Sequence, residues 1–311
     1  MRGSLVRRVV GTVAAVALAA SCGGAGNGVV GTKRNVIGVT LLTEAHAFYK
    51  ELEAGLREQA AANGLDLVVV ACEFDPTKQA SQLEDFVAQH VAAILAAPCD
   101  STAIVPSLTG PERAGIPVFT VDIAARGGRI VSHVASDNVQ GGRLAADALA
   151  GFVGGKGKIL IIDHPTVASV QDRVRGFEEG LKKYPGMVVV AKLSGNGERA
   201  RAAQVMEDML QAHADLAGVF GINDDSALAA AGVIEAAGRT NIAVVGYDAT
   251  DEAQVAIKKG GPLKADVIQF PRKIGHTAID LIAQYLAGAH VPPTVSIDVG
   301  VVDAKTLGAQ K

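Results

Sequence analysis

Along most of the chain, short unbroken apolar runs alternate with longer stretches whose apolar residues recur every three or four positions. The runs at 36–41, 67–71, 92–96, 118–121, 159–162, 188–191, 218–221, 243–246 and 265–268 predict strands. Their lack of polar alternation is what parallel strands covered on both faces require. Between them, Phe48, Leu52 and Leu56, and later Val170, Val174, Phe177 and Leu181, fall on single helical faces. Strand–helix alternation of this kind predicts α/β architecture with doubly wound parallel sheets.

The two halves of the pattern resemble each other. FYKELEAGLREQAAANGLDLVVV in the first half faces VQDRVRGFEEGLKKYPGMVVV in the second, which sets Gly55 opposite Gly176. QLEDFVAQHVAAILAAPCDS faces QVMEDMLQAHADLAGVFGINDDS, and AGIPVFTVD faces RTNIAVVGYD, so Ser101 pairs with Ser226 and Asp122 with Asp248. Two similar parallel-sheet domains are therefore expected.

The first residues fit neither half. Arg2, Arg7 and Arg8 precede an apolar stretch at 9–20, too short to span a bilayer, and the small residues Ala19, Ala20 and Ser21 lead to Cys22. This is the order of an export signal, expected over residues 1–21. The small-residue triplet ending at Cys22 resembles the lipobox of bacterial lipoproteins, which implies that Cys22 is lipidated and that glycine-rich residues 22–34 form a flexible, lipid-attached linker. Cys72 and Cys99 end two different predicted strands with a third between them. At about 4.8 Å per strand they are expected roughly 10 Å apart, as two free buried thiols beyond disulfide reach.

Composition narrows the function. The chain has 311 residues, 49% hydrophobic and 20% charged, enough to bury a sizeable core. Its mean hydropathy of +0.28 comes from Ala, Val and Gly spread along the sequence rather than from membrane-length segments. A formal charge of −3 without basic clusters beyond the first eight residues argues against nucleic acid.

In parallel α/β sheets ligands bind beyond the carboxyl ends of the strands. Glu44, His46, Asp100, Asp122, Asn223, Tyr247 and Asp248 all follow predicted strands. Two such edges face to face would form a cleft suited to hinge closure around a small solute. Glu44 and His46 form an E-x-H pair with no third ligand in view, so no metal or other cofactor is expected. His133, in a strand-like hinge segment, reads as structural. Asp122 and Asp248 could serve glycoside hydrolysis, but no nucleophile motif or phosphate loop accompanies them, and no enzyme activity is expected.

Three stretches carry a more specific signal: VSHVASDNVQGGRLAADAL (131–149), VFGINDDSALAA (219–230) and VVGYDAT (244–250). In this order they resemble the ribose-type periplasmic sugar-binding proteins, the solute receptors of ABC importers, over roughly residues 35–307. The resemblance implies the type I periplasmic-binding fold, with a three-strand hinge and a ligand cleft between two domains. It implies ligand contacts from the aromatic pair Phe48 and Tyr49, from Asp122, from Arg173 of the R-x-x-G-F pattern, and from Asn223, Asp248 and Gln269, with His46 and Tyr247 at further contact positions. Carboxylates and amides suit vicinal hydroxyls, and an aromatic ring suits the apolar face of a sugar. The residues by themselves leave other readings open: helix capping for Asp248 and Asn223, a surface position for Arg173, hinge packing for Gln269, and core rather than cleft for one of Phe48 and Tyr49.

The sequence also departs from ribose receptors. Ile123 stands where they carry an arginine, His46 and Ala97 where they carry asparagine, Gly197 and Tyr247 where they carry phenylalanine. These differences imply another neutral monosaccharide or a sugar alcohol. The expected organisation is an N-terminal domain of residues 35–135 and 270–292 and a C-terminal domain of 136–269 and 293–311, crossing near Ala135, Phe270 and Pro292. The expected protein is an extracytoplasmic monomer, held to the membrane through its N-terminal lipid and partnered by an importer permease. A sugar sensor for a chemotaxis or signalling partner is the alternative with the same fold. A lac-repressor-type regulator is excluded, because an apolar leader stands where its DNA-binding helices would be.

Overall fold

The computed structural model describes residues 33–239 and 241–308. The expected signal peptide and the lipidation site Cys22 lie outside them, and β1 begins at Lys33, two residues inside the expected linker. The first lobe is built from β1 (Lys33–Leu41), α1 (Ala47–Ala62), β2 (Asp66–Ala71), α2 (Pro76–Ala88), β3 (Val91–Ala96), α3 (Thr109–Arg113), β4 (Val118–Val121) and β5 (Ile130–Ser136). The second comprises α4 (Asn138–Val153), β6 (Lys156–Asp163), α5 (Ala168–Leu181), β7 (Gly186–Ser194), α6 (Arg199–Ala212), β8 (Leu216–Gly221), α7 (Asp224–Ala236), β9 (Ala243–Asp248), α8 (Asp251–Lys259) and β10 (Leu263–Ile268). The chain then returns through α9 (Pro271–Leu286) and β11 (Thr294–Ile297) to the first lobe and ends in the second with β12 (Gly300–Asp303) and α10 (Ala304–Gly308).

Each lobe has a six-stranded sheet, ordered β2-β1-β3-β4-β5-β11 and β7-β6-β8-β9-β10-β12. The shared 2-1-3-4-5 winding reproduces the internal repeat. Pairing is parallel except at the last edge, where β12 runs antiparallel to β10. The central strands are buried on both faces, as their unbroken apolar runs predict, and the stripes Leu52–Leu56 and Val170–Leu181 are buried against them.

The lobes are joined where β5 passes into α4, where β10 passes into α9, and between β11 and β12. The third crossing lies between Ile297 and Gly300, beyond the Pro292 expected from sequence, because Thr294–Ile297 pairs with β5 and extends the first sheet.

The two cysteines are also placed differently from expectation. β1 does separate β2 from β3, yet Cys72 and Cys99 form a disulfide with their Cα atoms 6.6 Å apart. Strand spacing governs only the paired ladder. Both cysteines lie past the ends of their strands, where the two loops fold over the end of β1 and meet at Leu42, whose carbonyl lies 3.5 Å from one sulfur and 3.9 Å from the other.

Candidate ligand-binding site

The carboxyl ends of the two sheets face each other across a cleft containing about 400 Å³ of empty space, its mouth included. The first lobe contributes His46, Phe48 and Tyr49 from the start of α1, and Asp122 and Ile123 from the end of β4. Arg173 of α5 comes from the second lobe, with Asn223 after β8 and Asp248 at the end of β9, while Gln269 stands on the crossover. Thus eight of the nine residues expected at the site converge on one cavity, and both Phe48 and Tyr49 line it. Tyr247 does not. It is fully buried behind the lining, with the Arg173 guanidinium 3.9 Å above its ring. Glu44 is exposed and outside the lining, its amide donating to Glu73.

The two duplicated aspartates share an unusual backbone. Asp122 has φ 61° and Asp248 φ 121°, a region non-glycine residues seldom occupy and that is held only where the surrounding structure enforces it. The chain thereby turns sharply at the carboxyl end of each strand, just past β4 and at the last residue of β9, and leaves a carboxylate in the cleft.

Asp122 accepts a 2.6 Å hydrogen bond from the Tyr49 hydroxyl on Oδ2. Its Oδ1 is buried and has no protein partner among the described residues. Burial pushes the Asp122 carboxyl upward in pKa, opposed by the charge of Arg173 and by the Tyr49 hydrogen bond. Asp248 accepts 2.6 Å from Gln269 Nε2, and burial, followed by the charge of Asp224, drives it well above the usual carboxylate range. Gln269 Oε1 is a second buried acceptor without a partner among the described residues.

Arg173 is 5% exposed, so it is not a surface residue of its helix. Nε donates to Asn138 Oδ1 and Nη1 to the Ile222 carbonyl, both at 2.8 Å, which leaves three of its five N–H donors. Asn223 has two duties. Its Oδ1 caps α7 by accepting from Ser226 N at 3.0 Å, and its Nδ2 donates to the Gly197 carbonyl at 3.0 Å. Capping is therefore real here, and the residue still lines the cavity.

The expectation omitted His164. It follows β6, is 4% exposed and lines the cavity. Its ring makes no hydrogen bond among the described residues, and burial, then the neighbouring His46, lowers its pKa to about 4. Gly197, at φ 70°, lies beside it, so that a Cβ there would stand 3.3 Å from His164 Nδ1 and 4.0 Å from His46 Cε1. This wall of the cavity therefore offers two imidazoles. The sequence signal available was position alone, the first residue past a central strand.

The cleft thus presents buried acceptors, one guanidinium, two neutral-leaning imidazoles and an aromatic pair. It can hold several hydroxyls and an apolar ring face. Two carboxyls against one guanidinium disfavour an anion.

Comparison with known proteins agrees with this chemistry. The profile of the periplasmic binding protein domain matches residues 37–290. The ribose import binding protein RbsB of Bacillus subtilis is 34% identical over 265 residues, 85% of this chain and 86% of that protein. The xylitol-binding protein of Mycolicibacterium smegmatis is 30% identical over 253 residues, 81% of this chain and 72% of that one. Among solved structures, an ABC transporter solute-binding protein of Agrobacterium vitis bound with α-D-tagatopyranose superposes with TM-score 0.83 at 31% identity, covering 88% of this chain and 95% of its own.

Proposed function

The chain belongs to the periplasmic binding protein family, and from that footing we propose that it holds a neutral monosaccharide or sugar alcohol between its lobes and presents the closed form to an importer permease. It is a sugar- or polyol-binding component of an ABC transporter and makes no covalent change in its ligand. The observation that carries the ligand class is the pair of buried, unpartnered acceptors, Asp122 Oδ1 and Gln269 Oε1, set beside the spare donors of Arg173. Hydroxyl groups, each donor and acceptor at once, satisfy both kinds. A ligand lacking one of them leaves a desolvated group unpaired at a cost of about 1–3 kcal/mol.

Ile123 and Gly197 give the cavity its shape. A buried apolar side chain lies where ribose receptors have a guanidinium, and Gly197 leaves the space of a missing ring, so a pentitol, hexose or other polyol differing from ribose fits this reading. The Cys72–Cys99 disulfide supports an oxidising, extracytoplasmic location. Lipidation of Cys22 after removal of residues 1–21 supplies the membrane attachment, and intact mass of the mature protein tests it.

Titration calorimetry against ribose, other pentoses, hexoses, pentitols and inositols is the test. One neutral polyol should bind with 1:1 stoichiometry, and Asp248→Ala should weaken it about 10- to 100-fold, the cost of one or two charge-assisted hydrogen bonds. Absence of binding by every neutral polyol, or unchanged affinity in the variant, would remove the reading.

A further inference from the structure

Behind Asp248 lie two carboxyl groups that the cleft does not use. Asp266, on β10, is fully buried, and Asp224, the first residue of α7, is 4% exposed. They hold consecutive amides of the turn that follows Asp248. Asp266 Oδ1 accepts from Ala249 N at 3.0 Å, and Asp224 Oδ2 accepts from Thr250 N at 2.7 Å. That turn is the strained one: Asp248 at φ 121° is followed by Ala249 at φ 54°.

The other oxygens of the two groups, Asp224 Oδ1 and Asp266 Oδ2, are buried and have no hydrogen-bond partner among the described residues. The side chains lie within hydrogen-bonding reach of each other. Gly246 on β9 makes room for the contact, since a Cβ there would run into Asp266 Oδ2. Two carboxylates cannot both ionise at such range in a buried site, whereas a carboxyl and a carboxylate sharing one hydrogen bond satisfy both orphan oxygens.

We propose that Asp224 and Asp266 hold one proton between them and act as positioning residues, clamping the Asp248 turn so that its carboxylate stays in the cleft. The importance of this clamp for ligand rests on the polyol reading above; the shared proton does not. Burial raises both groups, Asp224 to about 6 and Asp266 well above the usual range. The charges around the pair come from every neighbouring element. Asp225 of α7 acts on Asp224, and Asp248 of β9 on Asp266. Arg173 of α5 and Asp122 beyond β4 act on Asp248, and Arg199 of α6 is engaged by Asp225 and Glu252 instead. Among the described residues no cation neutralises the pair, so the proton must.

The sign follows from linkage. A carboxyl whose folded pKa is raised keeps a proton that the unfolded chain releases near 3.8. The pair's contribution to stability is therefore lost as pH rises above that value, until the folded pair itself ionises. Unfolding by urea of the ligand-free chain and of Asp266→Asn should be compared from about pH 5 to pH 7. The amide donates to Asp224 without a titrating proton, so the ratio of the two unfolding constants should change about tenfold per pH unit, with the variant gaining on the wild type. Equal slopes would overturn the shared proton, the buried histidines contributing alike to both proteins.

Positioning is read by the polyol that binds most tightly in the calorimetric panel. Asp266→Ala, which releases Ala249 N and leaves Asp224 unpaired, should weaken it more than tenfold while Asp266→Asn restores most of the loss. A folded Asp266→Ala that binds like wild type would overturn the clamp. If no polyol binds the wild type, the ligand reading fails, and the clamp's importance for ligand fails with it. The stability comparison still decides the proton.

Discussion

Tyr247 and Asp248 are neighbours in the chain and end on opposite sides of a wall. Successive strand residues point to opposite faces, so when Asp248 turns into the cleft, Tyr247 is carried beneath α4, where its hydroxyl lies 3.3 Å from Asn138 Oδ1 and its ring supports Arg173. Both positions were legible as a strand end, but the family-based expectation gave them the same role, and only the side-chain direction separates them. His164 shows the opposite case. Its contribution depends on what Gly197 does not fill, and no pattern within one strand reports a hollow in the loop after another. At this scale Tyr49 gives a clear expectation. Tyr49→Phe removes the only hydroxyl donor that Asp122 has in the protein among the described residues and leaves a buried carboxylate less satisfied. Chemical denaturation should show a loss of about 1–3 kcal/mol, with weaker polyol binding. His164→Phe, by contrast, keeps the ring's bulk. Its stability should be unchanged or higher, because the buried imidazole is replaced by a hydrocarbon, while calorimetry should show several-fold weaker binding if the imidazole receives a hydroxyl.

Between helices, the internal repeat extends to the packing. In the first lobe Gly55 of α1 lies against the Arg272 backbone of α9, and Gly275 of α9 against the Leu52 carbonyl of α1. In the second lobe the same exchange joins α5 and α4: Gly176 meets the Val139 carbonyl, and Gly142 the Arg173 carbonyl. The alignment of Gly55 with Gly176 in the sequence is thus a duplicated close helix crossing. Here the crossing sets the site, because α4 carries Asn138 and α5 carries the Arg173 that it orients. Gly176→Ala must push these helices apart. A loss of about 1–3 kcal/mol, as for other overpacked interiors, should appear together with weakened binding, since Arg173 moves with its helix; binding unchanged in a destabilised variant would show that the crossing serves stability alone. The central strands and the amphipathic helices were readable because burial on two faces, or one, leaves a periodic trace. The edge strands left little: β11 and β12 have four residues each, largely partly exposed, and the expectation accordingly misplaced the third crossing.

Across the whole molecule, the lobes touch through loops that follow the first-lobe strands. Ser101 N donates to the Thr166 carbonyl at 3.1 Å and Ser101 Oγ accepts from Ala168 N at 2.9 Å. His46 Nε2 lies 3.2 Å from Asp225, and the rings of Phe74 and His164 are 6.2 Å apart. Phe74 and Ser101 each stand two residues from a cysteine of the Cys72–Cys99 disulfide, which therefore ties together the two loops that reach across the cleft. Strand-spacing arithmetic could not find it, because it forms where the ladders have ended. The bridge encloses a separation of 27 residues, for which the loss of unfolded-chain entropy corresponds to about 3.5 kcal/mol. Paired Cys72→Ser and Cys99→Ser substitutions should lower stability by about that amount and, if the bridge also holds the latch loops for closure, should speed ligand release in stopped-flow measurements. Lowered stability with an unchanged release rate would confine the disulfide to holding the first lobe together and leave closure to Ser101, His46 and the hinge.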